Sequence, residues 1–151
     1  MIREVRKVTI AIAVGALSAM MGTAAVADEW PLKGGDYWEV TGIDVKDGGG
    51  WKYANWLATE WRKDLEFAKS KGWIKDYMIV ANVHARVGEA DLYLIRVTED
   101  VPSAEVGEKR QKEYMEWQKM SIEEMVDESG NRAEYREVLS DSLLQVLTFR
   151  D

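Results

Sequence analysis

Apolar and polar residues alternate in some stretches of this chain and recur every three or four positions in others. Residues 36–45, rich in aromatic and β-branched side chains between glycines, predict a first strand. Residues 74–86 and 91–98 predict two further strands, which a short connection at 87–90 joins into an antiparallel hairpin. The apolar run at 142–150 predicts the last strand.

Helical spacing predicts two longer helices and one short helix. The first helix ends at Gly72, and its predicted buried stripe consists of alanine, leucine and tryptophan: Ala54, Leu57, Ala58, Trp61, Leu65 and Ala68. The second helix is predicted over residues 108–127. Asn131 begins a sequence with the form of a helix cap, which predicts a short third helix over residues 132–138.

The order of these elements predicts the fold class. Strand, helix, strand, strand, helix, strand is the ferredoxin-like βαββαβ order, an α+β fold with an antiparallel sheet and helices on one face. Over residues 36–150, this order and the final apolar strand resemble the dimeric α/β-barrel superfamily, which includes antibiotic-biosynthesis-type monooxygenases, muconolactone isomerases and NIPSNAP-type proteins. The resemblance implies that two subunits pair their sheets into a barrel. It also implies a pocket inside that barrel or between each sheet and its helices.

The first 27 residues have the composition of an export signal peptide. Three basic residues precede an uncharged apolar run, and Ala25-Val26-Ala27 provides a small-residue cleavage sequence. Cleavage there predicts a periplasmic or secreted protein with an N-terminal arm at 28–35 and a single domain at 36–151. The alternative is a retained anchor, because residues 8–27 carry no charge over 20 positions, about the length that crosses a bilayer.

Charge narrows the range of partners. The leader contains three of the 20 basic residues and one of the 27 acidic ones, so the mature chain keeps 17 against 26, a net charge of −9. That charge repels phosphates and anionic lipid headgroups, so nucleic acid is not an expected partner, and neither is a membrane once the leader is removed. The chain has no cysteine and seven tryptophans, so packing must supply its stability.

Successive side chains of a strand point to opposite faces, which divides the predicted sheet into two sets of residues. One set is uniformly apolar and is predicted to carry the helices: Trp38, Val40, Ile79, Ala81, Val83, Tyr93, Ile95, Leu144 and Val146. The other set mixes apolar with charged and amide side chains, so we predict that a ligand or a second subunit covers it. Its candidate ligand-binding residues are Tyr37, Glu39, Thr41, Asn82 and Gln145, and His84 and Arg96 lie beside them.

His84 is the single histidine and the natural proton carrier near neutral pH. In an enzymatic interpretation, His84 moves a proton and Arg96 stabilises a developing enolate or carboxylate, without a cofactor. In the structural alternative, Glu39 and Arg96 form an ion pair and His84 donates to a backbone carbonyl. One histidine and no cysteine predict no histidine-rich or thiolate metal site, and no cofactor is predicted.

Several aromatic residues fall outside the predicted helix stripes: Tyr53, Trp56 and Phe67 on the first helix and Trp117 on the second. They predict a contact surface or a pocket wall, unless loops and the arm cover them. The leading hypothesis is an exported homodimer that binds a small organic ligand, with cofactor-independent oxygenase or isomerase activity as its enzymatic form. The alternative is a non-catalytic periplasmic binding or interaction module whose polar cluster is structural.

Overall fold

The computed structural model describes residues 29–151, so the predicted signal peptide at 1–27 lies outside the described residues. One antiparallel sheet of four strands has the order β2-β3-β1-β4. Its strands are β1 (Leu32–Val45), β2 (Asp76–Ala81), β3 (Leu92–Thr98) and β4 (Arg136–Phe149).

The first helix is continuous over residues 50–70 and consists of α1 (Gly50–Trp56), a π-helix (Leu57–Trp61) and α2 (Arg62–Ser70). Two further helices, α3 (Ala104–Gln118) and α4 (Ile122–Asn131), precede a 3₁₀ turn at Arg132–Glu134 that leads into β4. The element order and the strand order are consistent with a ferredoxin-like topology. The predicted α+β class and its antiparallel sheet are therefore confirmed.

The second predicted helix is in fact two helices. Lys119 adopts a left-handed conformation with φ of 56°, which ends α3. Ser121 then begins α4 with a capping box: the Glu124 amide donates to the Ser121 hydroxyl, and the Ser121 amide donates to the Glu124 carboxylate at 2.7 Å. The predicted short helix over 132–138 is wrong beyond Glu134, because Arg136 already pairs with Val45 of β1.

Three strands differ in length from their predictions, and β4 begins at Arg136, six residues before its predicted start at residue 142. β1 begins inside the predicted arm, where Leu32 pairs with Phe149 at the end of β4. β2 ends at Ala81, and residues 82–91 form a structured loop in which the Glu89 carboxylate accepts from the Asn82 side-chain amide at 3.4 Å and from the Arg86 backbone amide at 3.0 Å. These contacts give the chain an alternative to strand pairing, so the hairpin connection is longer than the sequence pattern indicates.

The two faces of the sheet are reversed relative to the prediction. The register places Glu39 opposite Arg96 and Thr41 opposite Leu94, and it is this mixed face that packs against the first helix. The hydrophobic core on this side is formed by Ile43, Tyr53, Leu57, Leu94 and Tyr135. α3 and α4 share cavities with the first helix on this mixed side. The opposite side, here called the helix-free face, is mostly apolar and is formed by Trp38, Val40, Met78, Val80, Tyr93, Ile95, Leu144 and Val146.

The reversal has a physical cause in the helix. Tyr53 is 1% exposed and Leu57 is 6% exposed, so the helix itself supplies much of the apolar material of the core. The sheet beneath can then retain polar side chains at positions that the helix covers only in part. The longer hairpin loop also changes which side chains of β2 point to each face of the sheet. Ile79, predicted on the apolar face, lies opposite Leu94 on the face that carries the helices.

Candidate functional site

A cleft of about 210 Å³ lies between the first helix and the sheet. Aromatic side chains of the helix form one wall, strands β1 and β3 form the floor, and the start of β4 closes one side. The residues that line it are Thr41, Ile43, Tyr53, Trp56, Trp61, Leu94, Arg96, Arg136 and Val138.

The π-helix brings two tryptophans into this cleft. In an α-helix, residues five apart are separated by about 140° around the axis, since each residue advances about 100°. In the π-helix the Arg62 amide donates to the Leu57 carbonyl, an i to i+5 hydrogen bond that adds one residue to the turn. Trp56 and Trp61 therefore face the same side, and Trp56 stacks on Tyr53 with ring centroids 5.7 Å apart.

The segment between α4 and β4 is fastened to the start of the first helix. The Lys46 amide donates to the Tyr135 carbonyl at 3.1 Å, and the Lys46 ammonium donates to the Ala133 carbonyl at 2.6 Å. Lys52 on the helix forms an ion pair of 2.6 Å with Glu134. These contacts hold the backbone segment that contains Arg132 and Arg136.

Three buried polar atoms have no hydrogen-bond partner among residues 29–151: the Tyr53 hydroxyl, Arg132 Nε and Arg136 Nε. Neither arginine forms an ion pair within the described part of the chain. The Arg132 guanidinium lies 4.4 Å from the centroid of the Trp56 ring, in a cation–π contact. Buried polar groups are usually paired, so these atoms distinguish the region from the rest of the core.

Burial and charge determine the protonation states of these groups. Burial raises the pKa of Tyr53 to about 12, although the charges of Arg136 and Arg132 act in the opposite direction. Burial, followed by the charge of Arg136, lowers the pKa of Arg132. At neutral pH the Tyr53 hydroxyl is therefore a donor beside two positive charges that repel each other.

A second cavity, of about 380 Å³, lies between the first helix, α3 and α4, and Trp56 and Arg132 are among the residues that line it. Its lining includes Glu60, Asp64 and Glu128. The Gln118 side-chain amide donates to Asp64 Oδ1 at 2.5 Å, and burial raises the pKa of the Asp64 carboxyl. This cavity is therefore rich in carboxylates, whereas the cleft contains none.

The structure brings several predicted site residues together on the helix-carrying face. Tyr37 lies opposite Gln145, and Glu39 lies opposite Arg96. The Arg96 guanidinium forms an ion pair of 2.5 Å with Glu39, which confirms the pairing considered as the structural alternative. Of these four residues, Arg96 lines the cleft.

The remaining polar candidates on this face contact their neighbours. Thr41 also lines the cleft, and its hydroxyl donates to Asp141 Oδ1 at 3.3 Å. The Gln145 amide donates to the Gly35 carbonyl at 3.4 Å. Both contacts join β1 to β4, so they support the sheet that forms the floor of the cleft.

His84 and Asn82 lie outside this cluster. Both belong to the loop after β2, where His84 is exposed and its backbone amide donates to Asn82 Oδ1 at 3.3 Å. Tyr77 pairs with Arg96 and Ala81 pairs with Leu92, so about 14 Å of ladder, at about 3.4 Å per residue, lies between Arg96 and the start of the loop that contains His84. The two residues predicted to share the chemistry are not in one site.

Sequence reasoning missed the residues that define the cleft. Tyr53 was expected on the side opposite the buried stripe, but it belongs to the core. The additional residue of the π-helix shifts the buried stripe away from Ala54, which is exposed. Phe67 stacks on Trp117 with ring centroids 4.1 Å apart, so these aromatic residues pack against each other rather than forming an open contact surface. For Arg132 and Arg136 no sequence signal existed, because nothing indicated that their segment turns from helix to strand.

No protein-family model, curated protein or solved structure matches this chain. Within residues 29–151, no group of three or more histidine, cysteine, aspartate or glutamate side chains is arranged to hold a metal ion. None of the helices in that range combines the length and apolar character needed to span a membrane. Function is therefore inferred from the fold and the cleft.

Proposed function

We propose that this protein is an exported homodimer that binds a small, partly apolar organic molecule in the cleft between its first helix and its sheet. The observation that carries this proposal is the lining of the cleft, in which aromatic side chains of the first helix face Leu94 beside the polar groups of Thr41, Arg96 and Arg136. Apolar and aromatic walls with a small number of polar anchors are typical of small-molecule sites. The volume of about 210 Å³ favours a small ligand, since pockets for drug-sized ligands begin at about 300 Å³.

The proposed role is binding without a catalytic step. A proton transfer by His84 with charge stabilisation by Arg96 requires both side chains at one substrate. The hairpin geometry separates them, and Arg96 is neutralised by Glu39. An interaction module that docks a protein through exposed helix aromatics gains no support from the Phe67–Trp117 stack.

The proposed homodimer is a dimeric α/β barrel in which a second copy covers the helix-free face. Met78, Val80 and Leu144 on this face are 36%, 43% and 51% exposed, which leaves apolar surface that soluble monomers rarely expose in one patch. A second copy of a chain with net charge −9 can approach only where charges are few. The helix-free face meets this condition over most of its area, since the side chains named above are uncharged and Asp76, at the edge of the same face, forms an ion pair with Lys69.

Export and dimerisation are tested together by expressing the full-length gene in an export-competent bacterium. The expected product begins at Asp28 by intact mass and has twice the mass of the mature chain in a native mass spectrum. A product that retains residues 1–27 contradicts cleavage of the signal peptide, and a monomer at micromolar concentration contradicts the homodimer.

Ligand binding is tested with benzamide as a neutral aromatic probe, detected by saturation-transfer NMR. Trp61→Leu removes a wall of the cleft and is expected to weaken binding at least fivefold. Trp51→Leu is the matched control, because Trp51 is 82% exposed and does not line the cleft. Equal binding by both variants contradicts the proposed site.

A further inference from the structure

We propose that the cleft recognises the carboxylate of a small aromatic acid, held by Arg136 and Tyr53. This inference rests on the proposed function and adds the charge and the chemical class of the ligand. It follows from three features of the cleft: its charge, its unpaired donors and its flat apolar walls.

The cleft is positive in an otherwise acidic protein. None of its nine lining residues is an aspartate or glutamate, although the mature chain has 26 acidic residues. It contains two arginines, of which Arg96 is paired with Glu39 at 2.5 Å. Arg136 has no ion-pair partner within the described residues and is therefore the charge available to an anion.

The unpaired donors match a carboxylate. Arg136 Nε and the Tyr53 hydroxyl are buried and lack acceptors within residues 29–151, an arrangement that costs free energy until an acceptor arrives. A carboxylate has two oxygens, so it can accept from a guanidinium and from a phenol at the same time. The Tyr53 pKa of about 12 keeps its proton in place for donation.

A neighbouring charge strengthens the preference for an anion. Arg132 lies against the Trp56 ring at 4.4 Å, and the charge of Arg136 contributes to lowering the Arg132 pKa. The two guanidiniums therefore repel each other. A negative charge beside Arg136 reduces that repulsion.

The walls favour a flat apolar body over a free inorganic anion. Trp56, Trp61 and Leu94 present mostly apolar surface, which cannot replace the water bound to a free phosphate but suits an aromatic ring. The larger cavity beyond Trp56 is an unsuitable place for an anion, because Glu60, Asp64 and Glu128 line it. A small aromatic monocarboxylate meets both the charge and the shape of the cleft.

The test compares benzoate with benzamide, which has nearly the same shape without the charge, by titration calorimetry or saturation-transfer NMR on the mature protein. The wild-type protein is expected to bind benzoate at least tenfold more tightly than benzamide. Arg136→Gln is expected to reduce that ratio to about one, chiefly through weaker binding of benzoate. Arg86→Gln, which removes an exposed arginine of the hairpin loop, is the control for overall charge and is expected to keep the ratio.

Two further variants separate recognition from folding. Tyr53→Phe keeps the ring and removes the hydroxyl, so benzoate affinity is expected to fall severalfold while the melting temperature rises. Arg136→Lys keeps the positive charge but loses the planar guanidinium with its paired donors, so it is expected to retain part of the preference for benzoate. Equal affinity of the wild-type protein for both probes, or an unchanged ratio in Arg136→Gln, overturns the inference.

The outcomes also separate this inference from the proposed function. Benzamide binding that depends on Trp61, without any preference for benzoate, leaves the small-molecule site standing and removes the anion recognition. Failure of both probes to bind at millimolar concentration contradicts the cleft as a site for small aromatic molecules, and the carboxylate inference falls with it.

Discussion

Glu39 and Arg96 lie directly opposite each other on β1 and β3, and their side chains form an ion pair of 2.5 Å on the face that carries the helices. The pair is partly exposed, with 37% and 47% of the two side chains accessible, so its contribution to stability is at most about 1 kcal/mol. Its main consequence is electrostatic, because it cancels one of the two positive charges that line the cleft.

Glu39→Gln is therefore expected to strengthen the binding of benzoate severalfold, since it releases Arg96 as a second cation in the cleft. The free energy of unfolding is expected to change by less than about 1 kcal/mol. Calorimetric titration together with urea denaturation checks both quantities. Unchanged or weaker benzoate binding contradicts the placement of the anion within reach of Arg96.

Leu143 and Leu144 provide a matched pair for the proposed dimer. They are 53% and 51% exposed, but Leu143 lies opposite Glu39 on the helix-carrying face and Leu144 lies opposite Trp38 on the helix-free face. Leu144→Glu places two like charges in the proposed interface and is expected to give a monomer by size-exclusion chromatography with light scattering. Leu143→Glu is expected to remain a dimer, and dissociation of both variants or of neither contradicts the assignment of the interface.

Gly49 and Gly50 are expected to respond to alanine in opposite directions. A Cβ at Gly49 would lie 2.5 Å from the Tyr135 carbonyl oxygen, in the contact that fixes the arginine segment to the helix. Gly49→Ala is expected to cost about 2 kcal/mol of stability and to weaken benzoate binding. A Cβ at Gly50 meets no atom within 4 Å, so Gly50→Ala is expected to stabilise the protein by about 0.5 kcal/mol. Urea unfolding of both variants checks the sign of each change.

Asp64 predicts a pH dependence. Burial raises its pKa in the folded protein above the ordinary value of 3.8, so the folded state binds the proton more tightly than the unfolded state does. The resulting stabilisation is complete below about pH 4 and is lost as the pH rises through the folded-state pKa. Asp64→Asn lacks this loss, so its stability relative to wild type is expected to increase between pH 4 and pH 7.

Chemical denaturation across that pH range measures the effect. Asp47→Asn, which changes an exposed aspartate in the turn before the first helix, controls for the removal of one carboxylate. A relative stability of Asp64→Asn that stays constant with pH, or decreases as the pH rises, contradicts the sign derived from burial.

Local patterns predicted much of the helix and strand order. The start of α4, which was not predicted, also has a local sequence signal. Ser121 and Glu124 have the S-x-x-E spacing of a capping box, which indicates a new helix at that point. The left-handed turn at Lys119 had no such signal, because lysine does not favour positive φ. Asn131 illustrates the opposite error, since a cap-like spacing occurs there inside the last turn of α4.

The sequence by itself determined the α+β class, the four strands and, for β1, β3 and β4, the content of each sheet face, because these depend on spacing along the chain. Tertiary structure alone decided which face carries the helices and which residues meet in the cleft. The physical reason is that one added residue in a helical turn and a longer hairpin loop change which side chains face the core, while the local apolar pattern stays the same. Tyr53 and Arg136, which are 83 positions apart in the chain, line one cleft only because the packed fold brings them together.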